Sequence, residues 1–430
     1  MRLTLHQLRI ATQGALPAAI GRGVAALLLL FAAPVAAILW MRGARIRRTP
    51  RMGRYGALVM EQTLVNRSGA PVALFHALPR LVNLAKGDLG WVGPAVQTMG
   101  PSQLRTEQGR VAASMPPGIF STWRLRQRTN VDFGSQTDID AEYVRKRSPC
   151  ANGGIILRSL LTSVYGGANR AGLTRRADIL GLPLDNLSMD QAIDAIVTPA
   201  NRGRLRQVSF VNVDCVNLSY RDGAYRNTLL QSALRLPDGI GLRIAGRILR
   251  SEIRQNVNGT DLFPLLLARL ATTGQGLFLL GGRPGVADDV AAWAQANYPG
   301  VRIAGAAHGY FAAGEEAALI ERINHSGANI LLVAFGAPRQ EKWIERHAGR
   351  LRVDSALGVG GLFDFYAGRI PRAPQWLREL GLEWTFRLYQ EPGRMWRRYL
   401  VGNVVFLSRV MTERAKRQLG VGQIQEQVNS

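Results

Sequence analysis

The 430-residue sequence predicts an α/β protein whose C-terminal half is built on a largely parallel sheet and whose N-terminus holds an apolar helix. Short apolar runs at Val208–Val213, Gly276–Leu280 and Ile330–Phe335 read as strands, and stretches such as Asp261–Ala271 and Val286–Asn297 between them read as helices. Ser188-Met189-Asp190-Gln191 has the form of a capping box that opens a helix. Val24 to Met41 contains no charged residue, and its length approaches the ~20 residues that a helix needs to cross a bilayer.

The flanks of that apolar run are basic on both sides: Arg2, Arg9 and Arg22 before it, Arg42, Arg45, Arg47, Arg48, Arg51 and Arg54 after it. Trp40, Met41 and the Arg run follow where a cleaved signal peptide would show small residues, which argues against cleavage. Basic flanks favour the cytoplasm. A helix bent at Pro34 that re-enters the same face satisfies both flanks, and an ordinary span with a cytoplasmic C-terminus satisfies the larger one. Either way the rest of the chain is expected at the cytoplasmic face of the inner membrane.

The net charge of +24, from 54 Lys+Arg against 30 Asp+Glu, suits an anionic partner: a membrane surface, nucleic acid or a phosphorylated substrate. Nucleic acid is disfavoured, because no reader module and no basic sheet with stacking aromatics is visible. A hydrophobic share of 47% with 20% charged residues excludes a disordered chain. The two cysteines, Cys150 and Cys215, offer neither metal-ligand spacing nor a disulfide framework, as expected in a reducing compartment.

Between residues 43 and 170 stand Lys86-Gly87-Asp88-Leu89-Gly90-Trp91-Val92-Gly93-Pro94, then Pro117-Gly118-Ile119-Phe120-Ser121-Thr122-Trp123, Asp132-Phe133 and Asp140-Ala141-Glu142-Tyr143-Val144. The series resembles the bacterial sugar transferases, monotopic enzymes that place a phosphosugar on polyprenol phosphate. That resemblance implies a small α/β domain behind a proline-bent membrane helix. It also implies a catalytic Asp-Glu pair, but His76 and Ala77 stand at those positions, and Ala95 replaces the expected Arg. A nucleophilic carboxylate is required for that chemistry. The domain is therefore expected to be degenerate, serving as an anchor.

In the C-terminal half, beyond a glycine-rich linker at Gly166-Gly167-Ala168-Asn169-Arg170, polar motifs follow the strands, where ligands of parallel sheets bind. Leu236-Pro237-Asp238-Gly239 puts a carboxylate in a turn beside a glycine that lets substrate approach. Asn258-Gly259-Thr260-Asp261 precedes a helix that Thr260 and Asp261 can cap. Leu280-Gly281-Gly282-Arg283 and Phe335-Gly336-Ala337-Pro338-Arg339-Gln340-Glu341 each join a strand to a helix start, which suits a diphosphate. Gly358-Val359-Gly360-Gly361-Leu362-Phe363-Asp364-Phe365 is the fifth motif. No Asp-x-Asp motif occurs in this half, so neither metal nor cofactor is expected.

Order and spacing of these motifs, from Ile179 to Arg398, resemble the WecG/TagA/CpsF glycosyltransferases. The resemblance implies a Rossmann-like domain over 171–375 that moves a sugar, with inversion, from a UDP donor to a polyprenyl-diphosphate-linked sugar in exopolysaccharide, capsule or cell-surface glycan synthesis. It implies Asp238 as base and Gln340 as an active-site residue. Asn212, Gly239, Asn258, Gly259, Thr260, Asp261, Gly281, Gly282, Arg283, Gly336, Arg339 and Glu341 are the expected substrate contacts. Phe210 and Asp214 depart from the family's TxNxE pattern around Asn212. Residues 376–414, rich in Trp and Arg, are expected to form a membrane-proximal appendage whose Arg394 and Arg397 reach a diphosphate. The remaining divisions are a basic segment 1–22, the helix 23–42, the degenerate domain 43–170 and a disordered tail 415–430. A homo-oligomer, a second phosphosugar-transfer activity and a non-catalytic membrane scaffold stay open at this point.

Overall fold

The computed structural model describes residues 5–72, 75–96, 103–129, 131, 134–163, 173–199 and 205–419, with side chains from residue 19 onward. Asp132-Phe133, the linker at 166–170 and tail residues 420–430 lie outside the described residues. The chain forms two compact units that divide near residue 165, with the run 129–131 grouped with the second.

The first unit opens with one helix, α1, over Leu5–Met41. It runs unbroken through Pro34 and takes in the basic segment expected to precede it. Ala19–Met41 is long and apolar enough to cross a membrane, and Leu30, Phe31, Trp40 and Met41 stand exposed along it. Near its middle, Ala25 packs with Leu84 and Leu89, and the Trp91 indole donates to the Gly21 carbonyl at 3.0 Å. Strands β1 (Arg45–Met52) and β2 (Leu58–Val65) form an antiparallel hairpin. Strands β3 (Gly90–Val92) and β4 (Gly118–Phe120) pair in parallel. Gly93 and Gly118 pack backbone to backbone with no room for a Cβ, which explains the glycines of these two motifs.

The second unit begins with a small hairpin, β5 (Arg176–Ile179) and β6 (Leu182–Asp185), turned by Leu180 and Gly181 at positive φ. The capping box at Ser188 and Gln191 is formed, and opens the helix Met189–Val197. Six parallel strands follow: β7 (Arg206–Val211), β8 (Leu234–Pro237), β9 (Gly276–Gly281), β10 (Arg302–Ala307), β11 (Ile330–Ala334) and β12 (Ser355–Gly358). Their order is β10-β9-β11-β12-β7-β8. Side chains alternate across the sheet, as the two-residue period of a strand requires. Leu277, Leu279, Leu332 and Leu357 join one core under the helices Gly259–Thr273 and Val286–Asn297. Phe278, Leu280, Leu331 and Ala356 join the other with Ile320, Ile323 and Ile344. Both faces are covered, as is usual for a parallel sheet.

The expected strand Val208–Val213 ends at Val211; Asn212 instead caps the helix Val213–Ser219, its Oδ1 accepting the Cys215 N–H at 3.1 Å. After the sheet, helices Gln375–Glu379, Glu383–Gln390 and Pro392–Trp396 lead through a π turn, Arg397–Val401, into the helix Gly402–Gln418. Phe406 and Val410 of this last helix are buried beside Leu182, Val216 and Leu242, so the appendage is part of the second unit's packing.

Candidate active site

The loops after β7 and β8 and the C-terminal helices enclose a cavity of about 590 Å³. Asn212, Asp238, Gly239, Asn258, Thr260 and Asp261 line it, together with Glu383, Trp384, Arg387, Arg398 and Tyr399 from the appendage. Ile240, Ile244, Leu400, Val404 and Leu407 supply an apolar wall.

Asp238 is placed by the sheet. Its N–H donates to the Val211 carbonyl at 2.7 Å, continuing the β7–β8 ladder one residue past the strand. Gly239 then turns at φ +97°, a conformation L side chains rarely adopt, and its N–H donates to Asn256 Oδ1 at 2.5 Å. Among the described residues the Asp238 carboxylate has no hydrogen-bond partner. Burial pushes its pKa up to about 7; the neighbouring charges of Glu383 and Asp261 push the same way, and Arg398 and Arg387 oppose them. A carboxylate balanced near neutrality, facing a cavity, is suited to accept a proton. With Asp238 as the base, the role the sequence resemblance implies, kcat/KM for sugar transfer is expected to rise with pH through about 7 and level off above it. A pH–rate profile checks this, and Asp238→Asn should remove that limb.

Arg387 lies over the Phe365 ring at 4.6 Å and, among the described residues, makes no ion pair. Arg398 stands 3.2 Å from Asp214. Burial opposes its charge, but Asp214, with Tyr399, Cys215 and Asp238, holds its pKa above the ordinary value. Asp214, which departs from the expected glutamate, thus anchors an arginine of the appendage. Below these groups Arg372 pairs with Asp261 and stands 3.5 Å from Glu383, joining the helix Gly259–Thr273 to the appendage.

Several expected contacts are placed differently. The cap of the helix Gly259–Thr273 is Asn258, whose Oδ1 accepts the Asp261 N–H at 2.7 Å, and neither Thr260 nor Asp261 caps it. Asp261 is occupied by Asn258 and Arg372, and Gly259 packs against Phe210. Gly281 and Gly282 let β9 approach β11 and its end: a Cβ on Gly281 would meet Ala334, and the Gly282 N–H donates to the Ala334 carbonyl at 3.3 Å. Gln340 is buried. Its Oε1 accepts from the N–H groups of Gly336 at 3.1 Å and Gly360 at 2.9 Å, and its Nε2 donates to Glu341 Oε1 at 2.7 Å. Glu341 is 1% exposed, with its pKa pushed up to about 7 by burial, so its side chain belongs to the core and is closed to substrate. Arg283 and Arg339 are exposed beside the crevice between the ends of β9 and β11, and Arg339 stacks over Phe335 at 5.2 Å. Chain connections leave β9 and β11 in opposite directions there, the usual place for a ligand in an open α/β sheet. Arg394 and Arg397 are exposed, one near Glu391 at 3.5 Å and the other over Trp396, outside the cavity lining.

Residues 177–420, more than half of the chain, match the glycosyl transferase WecG/TagA/CpsF family. The chain belongs to that family. Its fold is the expected α/β architecture with a parallel C-terminal sheet. Residues 73–166 match the bacterial sugar transferase family, in agreement with the motifs of the first unit. Among curated relatives, the N-acetylglucosaminyldiphosphoundecaprenol N-acetyl-beta-D-mannosaminyltransferase of Bacillus subtilis (strain 168) is 30% identical over 217 residues, 50% of this chain and 79% of the relative. As a WecG/TagA/CpsF member, the chain is a glycosyltransferase, and its cavity is the candidate active site.

Proposed function

We propose that this glycosyltransferase moves a sugar from a UDP-sugar to a polyprenyl-diphosphate-linked sugar, with inversion, at the cytoplasmic face of the inner membrane. The observation that carries the reading is the cavity itself: a carboxylate balanced near neutrality, Asp238, with the arginines Arg387 and Arg398 in the same chamber and an apolar wall beside them. A diphosphate needs the cations, a lipid chain needs the wall, and a sugar hydroxyl needs the base. Asp238 takes the proton of the acceptor hydroxyl as that oxygen bonds to the anomeric carbon. The bond to the nucleotide oxygen breaks, and the departing diphosphate carries the charge away. The Bacillus subtilis relative, named for transfer to a diphosphoundecaprenol-linked N-acetylglucosamine, supports this acceptor class. The apolar helix α1 and the exposed Tyr389, Trp396 and Val404 of the appendage support a chain held at a bilayer. The expected role lies in a surface glycan, capsule or exopolysaccharide.

The test is transfer by the full chain from a panel of UDP-sugars to polyprenyl-diphosphate N-acetylglucosamine, scored by the anomeric configuration of the product. Reaction with one donor and inversion supports the reading; release of UDP that needs no lipid acceptor would count against it.

A second activity, transfer of phosphosugar to polyprenol phosphate, is disfavoured by His76 and Ala77, which supply no nucleophilic carboxylate. The full chain is expected to give no radiolabelled polyprenyl-diphosphate sugar from polyprenol phosphate and UDP-sugar. Its sugar transfer is expected to survive a chelator.

A further inference from the structure

We propose that Arg372 is a positioning residue for sugar transfer: it takes Asp261 and Glu383 as its counter-ions and so leaves the proton-accepting role in the cavity to Asp238. The proposal rests on the reading of Asp238 as the base. Arg372 stands on the segment that joins the sheet to the appendage, outside the cavity lining. The Ile370 N–H donates to the Asp364 carbonyl at 3.1 Å, which fixes that segment on the helix Leu362–Tyr366. From there Arg372 Nη2 meets Asp261, and its Nε stands 3.5 Å from Glu383 Oε1. Glu383 opens the helix Glu383–Gln390. At the other end of that helix Gln390 Nε2 donates to the Pro371 carbonyl at 3.1 Å. Pro371 and Arg372 thus hold the helix at both ends. Glu383 and Arg387, four residues apart and so on one face, both line the cavity.

Among the described residues four carboxylates line the cavity: Asp214 after β7, Asp238 after β8, Asp261 in the helix Gly259–Thr273 and Glu383 in the appendage. Three of them have an arginine within ion-pair distance. Arg398 stands 3.2 Å from Asp214, and Arg372 serves both Asp261 and Glu383. Asp238 has none among the described residues. The other titratable groups of the lining are Arg243, Arg378, Arg387 and the Tyr399 phenol. An ion pair holds a carboxylate in its charged form and makes it a poor proton acceptor, whereas burial without a partner does the reverse. Arg372 therefore decides which of the neighbouring acids takes a proton. It does so from outside the chamber, where it blocks no substrate. The same cation offsets two charges that press on Asp238. Without it Glu383 and Asp261 stand uncompensated, and like charges disfavour a further ionisation.

The experiment follows the full chain, in detergent, by NMR with aspartate 13C-labelled at the side-chain carboxyl. The Asp238 signal is identified by its loss in Asp238→Asn and titrated against pH, and the pH–rate profile of sugar transfer is recorded beside it. In Arg372→Gln the Asp238 midpoint is expected to move up by about one unit, the lower end of what a neighbouring charge does. The rising limb of kcat/KM should move with it. For a group of pKa about 7, that shift lowers transfer about fivefold at neutral pH and lets it recover in alkali. Arg372→Lys, which keeps the cation, is expected to leave the midpoint near the parent's. Should Arg372→Gln fail to fold, Glu383→Gln carries the test: it leaves Arg372 to Asp261 alone and should move the midpoint down. A rate lowered at every pH with an unmoved midpoint marks an ordinary structural contact and would overturn the proposal, as would an unmoved midpoint in Glu383→Gln. A midpoint that moves while the rate limb stays supports the charge assignment and sinks the reading of Asp238 as the base instead.

Discussion

Asp238→Asn is expected to lower sugar transfer by about 10²–10⁴-fold, the usual contribution of a positioned general base. The substitution is nearly isosteric. The backbone bonds that fix the turn, from Asp238 N–H to Val211 and from Gly239 N–H to Asn256, do not involve the side chain and should persist. The fold should therefore persist, and by differential scanning calorimetry at pH 8 the variant should melt no lower than the parent. There the parent carboxylate is largely ionised in a site that resists ionisation, since burial is the main cause of its raised pKa. Single-turnover kinetics separate the two contributions: donor affinity is retained and the chemical step is lost. Retention of the chemical step would move the base elsewhere, with Glu383 next in line, because it lines the same cavity and burial also raises its pKa.

Arg387→Gln is expected to lower kcat/KM by about 10–100-fold, in line with the loss of a hydrogen bond to a charged group. Arg387 makes no ion pair among the described residues, so its charge is available to a ligand, and it enters the same chamber as Asp238. Arg394→Gln serves as the contrasting case. Its guanidinium is exposed near Glu391 and outside the cavity lining, so transfer in detergent should hardly change. Equal losses in both variants would mean that the diphosphate follows the outer surface of the appendage.

These two arginines mark the limit of what the sequence reveals. Local signals were legible: the capping box at Ser188, the helix Val286–Asn297 and the Pro237-Asp238-Gly239 turn all depend on residues within a few positions of one another. The sheet followed from the alternation of apolar runs with helices, although the run ending at Val213 was two residues too long because an asparagine cap stops the strand at Val211. The appendage was visible as a basic, aromatic stretch, but not which arginines turn inward. Helical arithmetic fails there, because Glu391 leaves helical geometry at φ −131° and ψ 63° and a π turn follows at Arg397–Val401. Arg398 finds Asp214, a partner 184 positions away in sequence (398 − 214), through tertiary structure alone. Glycine motifs were equally ambiguous. Gly281 and Gly282 read as a phosphate cradle, but they serve the close approach of β9 to Ala334, a requirement that leaves the same letters in the sequence.

On the proposed reading, in which helix α1 holds the chain at a bilayer, the helix also bears on kinetics. The 23-residue stretch Ala19–Met41, charged only at Arg22, extends for about 35 Å, enough for a hydrocarbon layer of about 30 Å. A chain held in the bilayer by this helix meets a lipid-linked acceptor by lateral diffusion, a search in two dimensions. Its encounter rate then follows the mole fraction of acceptor in the membrane, and diluting the vesicles leaves that quantity unchanged. The nucleotide-sugar donor proposed above would still arrive from three dimensions. On that reading one substrate is counted per area and the other per volume, and the amount of membrane becomes a variable of the rate law.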